Sequence, residues 1–332
     1  MWVFRIFFAK NHFKVSFFKK LRANIFGGYL ADQHVLYDFD NNDRKQYLSE
    51  FDWYRSRKIN DPFLKMMDNK IMATEVLSHY VNVPKIHVAQ NRYRILVFND
   101  KITTYEDIVK LLKTDKKLYI KPISAGKGEN VFLLSYSNDI IFVNQTAYDE
   151  SDFVNFLKKK HDWLITEAIE QGKYLNSIYK KTTNTIRLIT MRDPETNKNK
   201  VFFAVQRIGV AKSIPVDNGS KGGLIANIDL ETGVLSEARS LHSLDAHIVH
   251  PDSKSKIKGL KVPNWDELKN TMLNLADKFP FMHFIAWDVL LTEDGICVIE
   301  ANSSSGVNII QIWGPQRYNE LGDFFRYHDV IK

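Results

Sequence analysis

The chain has 332 residues, 44% of them hydrophobic and 26% charged, enough to bury one large core or two to three smaller ones. A formal charge of +7 and a pI near 9.1 point to phosphates, an anionic membrane surface or acidic glycans as partners, and say nothing about the fold. A single cysteine, Cys297, excludes an internal disulfide framework, and no stretch approaches the roughly twenty apolar residues a membrane helix needs. The opening segment MWVFRIFFAKNHFKVSFFKKLRANIF is aromatic and basic. Charges at Arg5, Lys10, Lys14, Lys19 and Lys20 break any signal-peptide core, and no small-residue cleavage site follows. As a helix it gathers Phe4, Phe8, Phe17, Leu21 and Ile25 on much of one face. Such a stripe is read first as packing on the body of the protein. The alternative is peripheral contact of residues 1–26 with an anionic membrane, with the protein cytoplasmic at its inner face.

Residues 1–60 as a whole read as a helical segment. DNKIMATEVLSHYVNVPKIHV predicts a helix ending near Val81, followed by an extended run from Pro84. YRILVF is a strand and TTYEDIVKLLK a helix with threonine caps. KLYIKPISAGKGENVFLLSY reads as strand, glycine-containing turn, strand; DIIFVNQTAY as a strand, DESDFVNFLKKK as a helix and WLITEAIE as a strand. TNTIRLITMRDPETNKNKVFFAVQRIGV predicts two strands joined by a Pro/Asn-rich turn, and LIANIDLETGVLSEARS a hairpin turning at Glu231–Gly233. NWDELKNTMLNLADKFP is a capped amphipathic helix stopped by Pro280, and FIAWDVLLTEDGICVIEAN a hairpin turning at Glu293–Gly295. Helices mixed with antiparallel hairpins, without βαβ alternation, predict an α+β fold.

The last hairpin carries the sharpest chemistry. Asp288 and Glu300 sit on opposite arms of a tight turn and can face each other on one side of the sheet, with Asn302 projecting beside Glu300. Two carboxylates and an amide oxygen make a hard, oxygen-only ligand set suited to Mg²⁺; the bland reading is a pair of edge carboxylates in solvent. In IKPISAGKGENVF, Lys121 ends a strand, and Ser124, Gly126, Lys127 and Gly128 form a turn in which glycines let backbone N–H groups approach a phosphate. Alone, such a turn is usually a plain hairpin. LITEAIEQG places Glu167, Ile169 and Glu170 at the end of an apolar strand, where an adenine ring and ribose hydroxyls could be held, or where an edge strand simply meets solvent. The four histidines His242, His247, His250 and His283 show no metal spacing, and Cys297, in ICVIE, reads as a buried thiol.

Taken in order, these elements resemble the ATP-grasp superfamily, and DNKIMATEVLSHYVNVP resembles its lysine-bearing helix. There Lys70 takes the lysine position, and Asn82-Val83-Pro84 ends the segment with asparagine where glycine is usual. TNTIRLIT, QRIGV…VDNGSKGGLIANIDLETG and FIAWDVLLTEDGICVIEAN are similar to the branch associated with sugar transfer and surface-polysaccharide clusters, over roughly residues 60–310. The resemblance implies an ATP-grasp fold of two α+β subdomains clasping ATP: residues 1–60 a helical N-terminal segment, 61–165 an N-terminal lobe with a phosphate flap, 166–332 a C-terminal lobe with the metal site. It implies ATP and Mg²⁺ as cofactors, with Lys70, Lys121 and the turn Ser124–Glu129 on the phosphates, adenine against Glu167–Glu170, and the metal on Asp288, Glu300 and Asn302. Asn184, Arg187, Arg207, Asp217, Asn218, Lys221, Gly222 and Gly223 match the branch's recurrent polar positions and are assigned to substrate or catalysis. One departure matters: Ala286 stands where an arginine is usual, so Arg187, or else Arg207, would supply that charge. The polar loop KSIPVDNGSKGG is either a lid or a solvated connector.

The activity implied is a carboxylate–amine ligation through an acyl phosphate. It would join a small acid or amino acid to an amine or a sugar-linked acceptor in polysaccharide synthesis. A kinase acting on a hydroxyl and a catalytically silent ATP-binding scaffold are the alternatives. No basic–aromatic RNA module is present, so nucleic acid is not expected as a partner.

Overall fold

The computed structural model describes residues 6–332 apart from residue 93, residues 99–100 and residues 125–129, and describes Phe26 by its backbone only. Short apolar runs, broken by Asn, Asp and Gly at positive φ, form two sheets whose paired strands are all antiparallel. The first holds β1 (Ile86–Gln90), β2 (Ile95–Val97), β3 (Lys117–Pro122), β4 (Phe132–Ser137), β5 (Ile140–Val143), β6 (Thr146–Tyr148) and β7 (Trp163–Glu167), in the order β2-β1-β7-β3-β4-β5-β6. The second holds β8 (Ile186–Arg192), β9 (Asn199–Ile208), β10 (Leu224–Ile228), β11 (Leu235–Ser240), β12 (Ala246–His247), β13 (Phe284–Thr292) and β14 (Gly295–Asn302), in the order β12-β11-β10-β9-β8-β13-β14.

Helices cover these sheets. Before the first sheet come α1 (Phe17–Gly27), α2 (Ala31–Leu36), α3 (Glu50–Ser56), α4 (Leu64–Asp68) and α5 (Lys70–Leu77). Within and after it lie α6 (Tyr105–Asp115), α7 (Glu150–Lys158) and α8 (Lys173–Ile178), and later α9 (Trp265–Asp277), α10 (Asn308–Gln311) and α11 (Glu320–Tyr327). Ile108, Leu112, Phe153 and Leu157 of α6 and α7 pack on Leu118, Ile120, Leu134 and Ile165, closing one face of the first sheet. The period-2 alternation of β3 then turns Tyr119 and Lys121 to the other face.

The second sheet is sorted the same way. Leu188, Ala204, Ile285, Trp287 and Val289 face α9, where Trp265, Leu268 and Met272 fill one core. The next residues along each strand, Ile189, Val205, Phe284 and Ala286, face the N-terminal segment and the chain's end through Tyr29, Tyr37, Tyr47, Leu48, Val307 and Phe324. This second face changes character along its length. It is apolar where helices cover it and carries Arg187, Arg207 and Asp288 where they stop.

Several local expectations are corrected. Helix α1 begins only at Phe17, capped by the Ser16 hydroxyl, because the chain before it is pinned elsewhere: Asp32 accepts from the backbone N–H of His12 (3.0 Å) and of Phe13 (3.1 Å). Phe4 lies outside the described residues, and the aromatic stripe of α1 does not pack on the body: Phe17 and Phe18 are exposed, while Ala23 and Asn24 are the buried residues. Helix α5 ends at Leu77, with turns continuing to Tyr80. The run after β4 is two short strands, since Asn144 at positive φ (56°) turns the chain. Asn264 precedes α9 but makes no side-chain cap, its own backbone being left-handed (φ 50°). Thr104, by contrast, caps α6 in a reciprocal pair with Asp107.

Buried Asn60 ties the N-terminal segment to the second sheet. Its amide nitrogen donates to the carbonyls of Phe284 (2.6 Å) and Ser303 (3.1 Å), and its oxygen accepts from the N–H of His283 (2.8 Å) and Phe284 (3.2 Å). Replacing it with alanine strands those groups. Asn60→Ala should therefore lower unfolding free energy by about 3 kcal/mol, measured by urea denaturation.

Candidate active site

The β13–β14 hairpin sets Asp288 directly opposite Glu300, and Ala286 opposite Asn302, with a bulge just beyond Asp288. The Asn302 amide nitrogen donates to the Ala286 carbonyl (3.3 Å), which leaves the amide oxygen to accept from or coordinate another group. Two carboxylates paired across strands repel each other, and Asp288 is buried, so positive charge has to be close. Three cations supply it. Arg187, opposite Asp288 on β8, clasps both carboxylate oxygens, Nε to Oδ1 at 2.6 Å and Nη2 to Oδ2 at 3.0 Å. Arg207 of β9 reaches Oδ1 at 3.0 Å, and Lys70, the first residue of α5, places Nζ 3.2 Å from Glu300 Oε1.

The row continues into the loop after β9. Arg207 Nη2 also donates to Asp217 Oδ1 (2.5 Å) and to Asn218 Oδ1, while Asp217 Oδ2 accepts from the N–H (2.6 Å) and hydroxyl (2.7 Å) of Thr185. Burial pushes the Asp217 carboxyl above its ordinary value despite Arg207. For Asp288 burial acts the same way, but the two guanidinium groups outweigh it and hold the carboxyl down. Gly223 makes the loop possible: a Cβ there would lie 2.3 Å from the Asp217 carbonyl oxygen.

Across the cleft, Lys121 of β3 has its ammonium lowered to about 8, chiefly by desolvation and further by Lys70, with Glu300 opposing. Lys70, Lys121, Glu167, Ile169, Arg187, Arg207, Asp217, Asn218, Asp288, Glu300 and Asn302 line one solvent-open cleft of about 900 Å³. Its walls also include residues to which sequence reading gave no role, Tyr119, Thr183, Thr185 and Val216. The Tyr119 hydroxyl, from the first sheet, meets the Thr183 hydroxyl ahead of β8 at 2.9 Å. Only their place beside matched motif residues could have flagged them.

Other assigned residues lie apart. Asn184 is fully buried, its amide spent on the Tyr179 carbonyl, the Gln171 side chain and the Gly209 N–H, so it braces the start of β8. Glu170 and Ser124 are exposed, Glu170 beside Lys117 at 3.8 Å. Lys221 is exposed, and Gly222 and Gly223 turn the loop without lining the cleft. Gly126, Lys127 and Gly128 fall outside the described residues. Glu167 lines the cleft while accepting from the Lys85 N–H (2.7 Å).

The donor set fits a hard divalent cation in kind: two carboxylates and an amide oxygen, clustered at the end of one hairpin. Among the described residues no three His, Cys, Asp or Glu side chains converge as a metal cage. A cation held here would therefore take further ligands from outside the protein, and would compete with Arg187 and Arg207 for Asp288.

The family described as sugar-transfer associated ATP-grasp matches residues 52–319. The chain belongs to this family. Its fold is accordingly the ATP-grasp fold, here built from two antiparallel sheets with helical cover. No curated protein matches. Among solved structures the chain is similar to the ATP-grasp ligase PsnB complexed with minimal precursor, Mg and ADP (12% identity, 82% of this chain and 61% of that one, TM-score 0.42). It is similar also to the ADP complex of N5-carboxyaminoimidazole ribonucleotide synthetase (12%, 74% and 46%, TM-score 0.41) and to D-alanine-D-alanine ligase from Coxiella burnetii (14%, 71% and 47%, TM-score 0.38). The chain spans between about half and three fifths of the length of these proteins.

Two outcomes follow from the charge row. An amine lowered in the folded state binds its proton more tightly when unfolded, so Lys121 makes stability rise with pH between about 8 and its ordinary 10.5; below that window the cost of burying the charged amine is fully present and constant, so the slope vanishes. The difference between wild-type and Lys121→Met unfolding curves across that window should carry this slope. Arg207→Met leaves Asp217 and Asp288 short of their shared cation and should cost about 3–5 kcal/mol in urea unfolding.

Proposed function

We propose that the protein is an ATP-dependent carboxylate–amine ligase, ADP-forming, that attaches an amino acid or another small acid to a sugar or lipid-linked sugar during surface polysaccharide synthesis. One observation carries the reading: two lysines from the first half of the chain and an acid–acid–amide set from its last hairpin line a single cleft. Family membership supports a ligase reaction, and the sugar-transfer description of that family supports the acceptor class.

In this reading Ile169 and neighbouring apolar side chains hold the adenine, and Glu167 accepts from ribose. Lys121 and Lys70 bind the triphosphate as point charges. Asp288, Glu300 and Asn302 would hold Mg²⁺, which supplies neutralisation of phosphate charge when bound. A carboxylate oxygen of the acid attacks the γ-phosphorus; the bond to the β–γ bridging oxygen breaks and ADP leaves. The amine nitrogen then attacks the acyl carbon, inorganic phosphate departs and the nitrogen loses a proton, leaving an amide. Arg187 is suited to the transferring phosphoryl group, since its guanidinium already lies over Asp288 and can exchange one oxyanion for another. Ala286 is buried in the same apolar cluster as Val307 and Phe284 and does not line the cleft, so it brings no charge there. Walls formed by Tyr119, Val216 and Ile299 limit water around an acyl phosphate.

ATP turnover screened across amino acids and small acids, with inorganic phosphate and ADP both measured, tests this. The expected result is ADP release dependent on one acid, with amide formed when an amine is added. Glu300→Gln and Asp288→Asn should each lower turnover by about two orders of magnitude. A phosphorylated hydroxyl product without free phosphate would instead make the protein a kinase.

A further inference from the structure

The N-terminal segment offers a surface that the ligase reading does not use. From the start of the chain to Ala31 there is no acidic residue, while Lys10, Lys14, Lys19 and Arg22 are exposed. On α1 the positions of Phe17, Phe18, Leu21 and Ile25 fall within about 100° of arc. Phe17 is 63% exposed, Phe18 80% and Ile25 49%, and Phe8, just upstream, is 66% exposed. The side of the helix that meets the protein is made instead by Ala23 and Asn24, Asn24 donating to the Tyr29 carbonyl at 2.7 Å.

This orientation is fixed by the fold. Asp32 holds the backbone of His12 and Phe13, Ile6 is buried, and Gly28 ends the helix in a left-handed turn whose Cβ would strike the Phe51 ring. The aromatic stripe is therefore presented to solvent by an anchored helix. We propose that this stripe, with Phe8, docks into the headgroup interface of an anionic lipid membrane while Lys10, Lys14 and Arg22 meet lipid phosphates.

Charge decides between occupants. A second copy would bring the same cations against these, and among the described residues one ion pair, Asp40 with Lys19, offsets only one of them. A surface that takes aromatic rings and carries dense negative charge matches both halves of the patch. Among the described residues no helix is long and apolar enough to cross a membrane, so α1 would lie on it.

The test is co-sedimentation of the full chain with vesicles of equal parts phosphatidylglycerol and phosphatidylcholine, against pure phosphatidylcholine. Binding is expected to the first and not to the second. Phe17→Ser with Phe18→Ser should weaken it at least about tenfold, and Lys10→Gln or Lys14→Gln about fivefold each. These side chains are exposed, so melting temperature and near-ultraviolet circular dichroism should stay at wild-type values, and a matching melt shows that lost binding is not unfolding. The proposal is overturned by absent binding, by equal binding to both vesicles, or by Phe variants that bind as wild type. It is likewise overturned if sedimentation velocity shows a dimer that the Phe variants disperse in place of lipid binding. None of these readouts depends on the ligase assignment.

Discussion

Two carboxylates held side by side on a buried hairpin constrain everything around them. Asp288 and Glu300 are partners across β13 and β14, and burial of Asp288 makes isolation of that charge intolerable. The protein answers with guanidinium groups on the two next strands and an ammonium from α5, so the row reads Lys70, Glu300, Asp288, Arg187 and Arg207, Asp217. Each charge in the row has a neighbour of opposite sign. Under the proposed function, a polyanion with its cation would enter by exchanging partners within this row. Such exchange costs less than desolvating new charges, because the dipoles and ions are already oriented.

The same row explains why a strand face can be half core and half cleft. Ile189 and Arg187 lie two residues apart on β8, as Ala286 and Asp288 do on β13. The boundary between dry and wet falls where the N-terminal helices and the chain's end stop covering the sheet. The N-terminal segment and the chain's end also do a structural job. Asn60 and Gln311, both buried, satisfy backbone groups of Phe284, Ser303 and Leu48 that the sheet leaves open.

Much of this was legible from residue order. The hairpin turning at Glu293–Gly295 was legible from its turn residues, but its register alone would set Ile299 opposite Asp288, and it is the bulge just beyond Asp288 that brings Glu300 there. The threonine cap of α6 and the strand pair 186–208 were equally local. What escaped was tertiary. Periodicity shows that α1 has an aromatic stripe but not which way it faces, and the pinning of His12 by Asp32 settled that. Asn184 carries a motif position yet turns inward, because the turn from Tyr179 to Gly209 needs its amide. That Arg187 and Arg207 converge on one carboxylate depends on the order of strands β9, β8 and β13, which no spacing within a strand reveals.

The region matched by the family, residues 52–319, is shorter than the unit that folds. Tyr29, Tyr37, Tyr47 and Leu48 lie before it and Phe324, Phe325, Val330 and Ile331 after it, and all are buried against the second sheet or its flanks. His12, also outside, stacks on His242 at 3.6 Å, beside the turn at Gly222. A fragment cut at the homology boundaries would thus expose a broad greasy flank and strip support from the loop that presents Asp217. Domain limits drawn from similarity alone would here cut through two of the molecule's apolar cores.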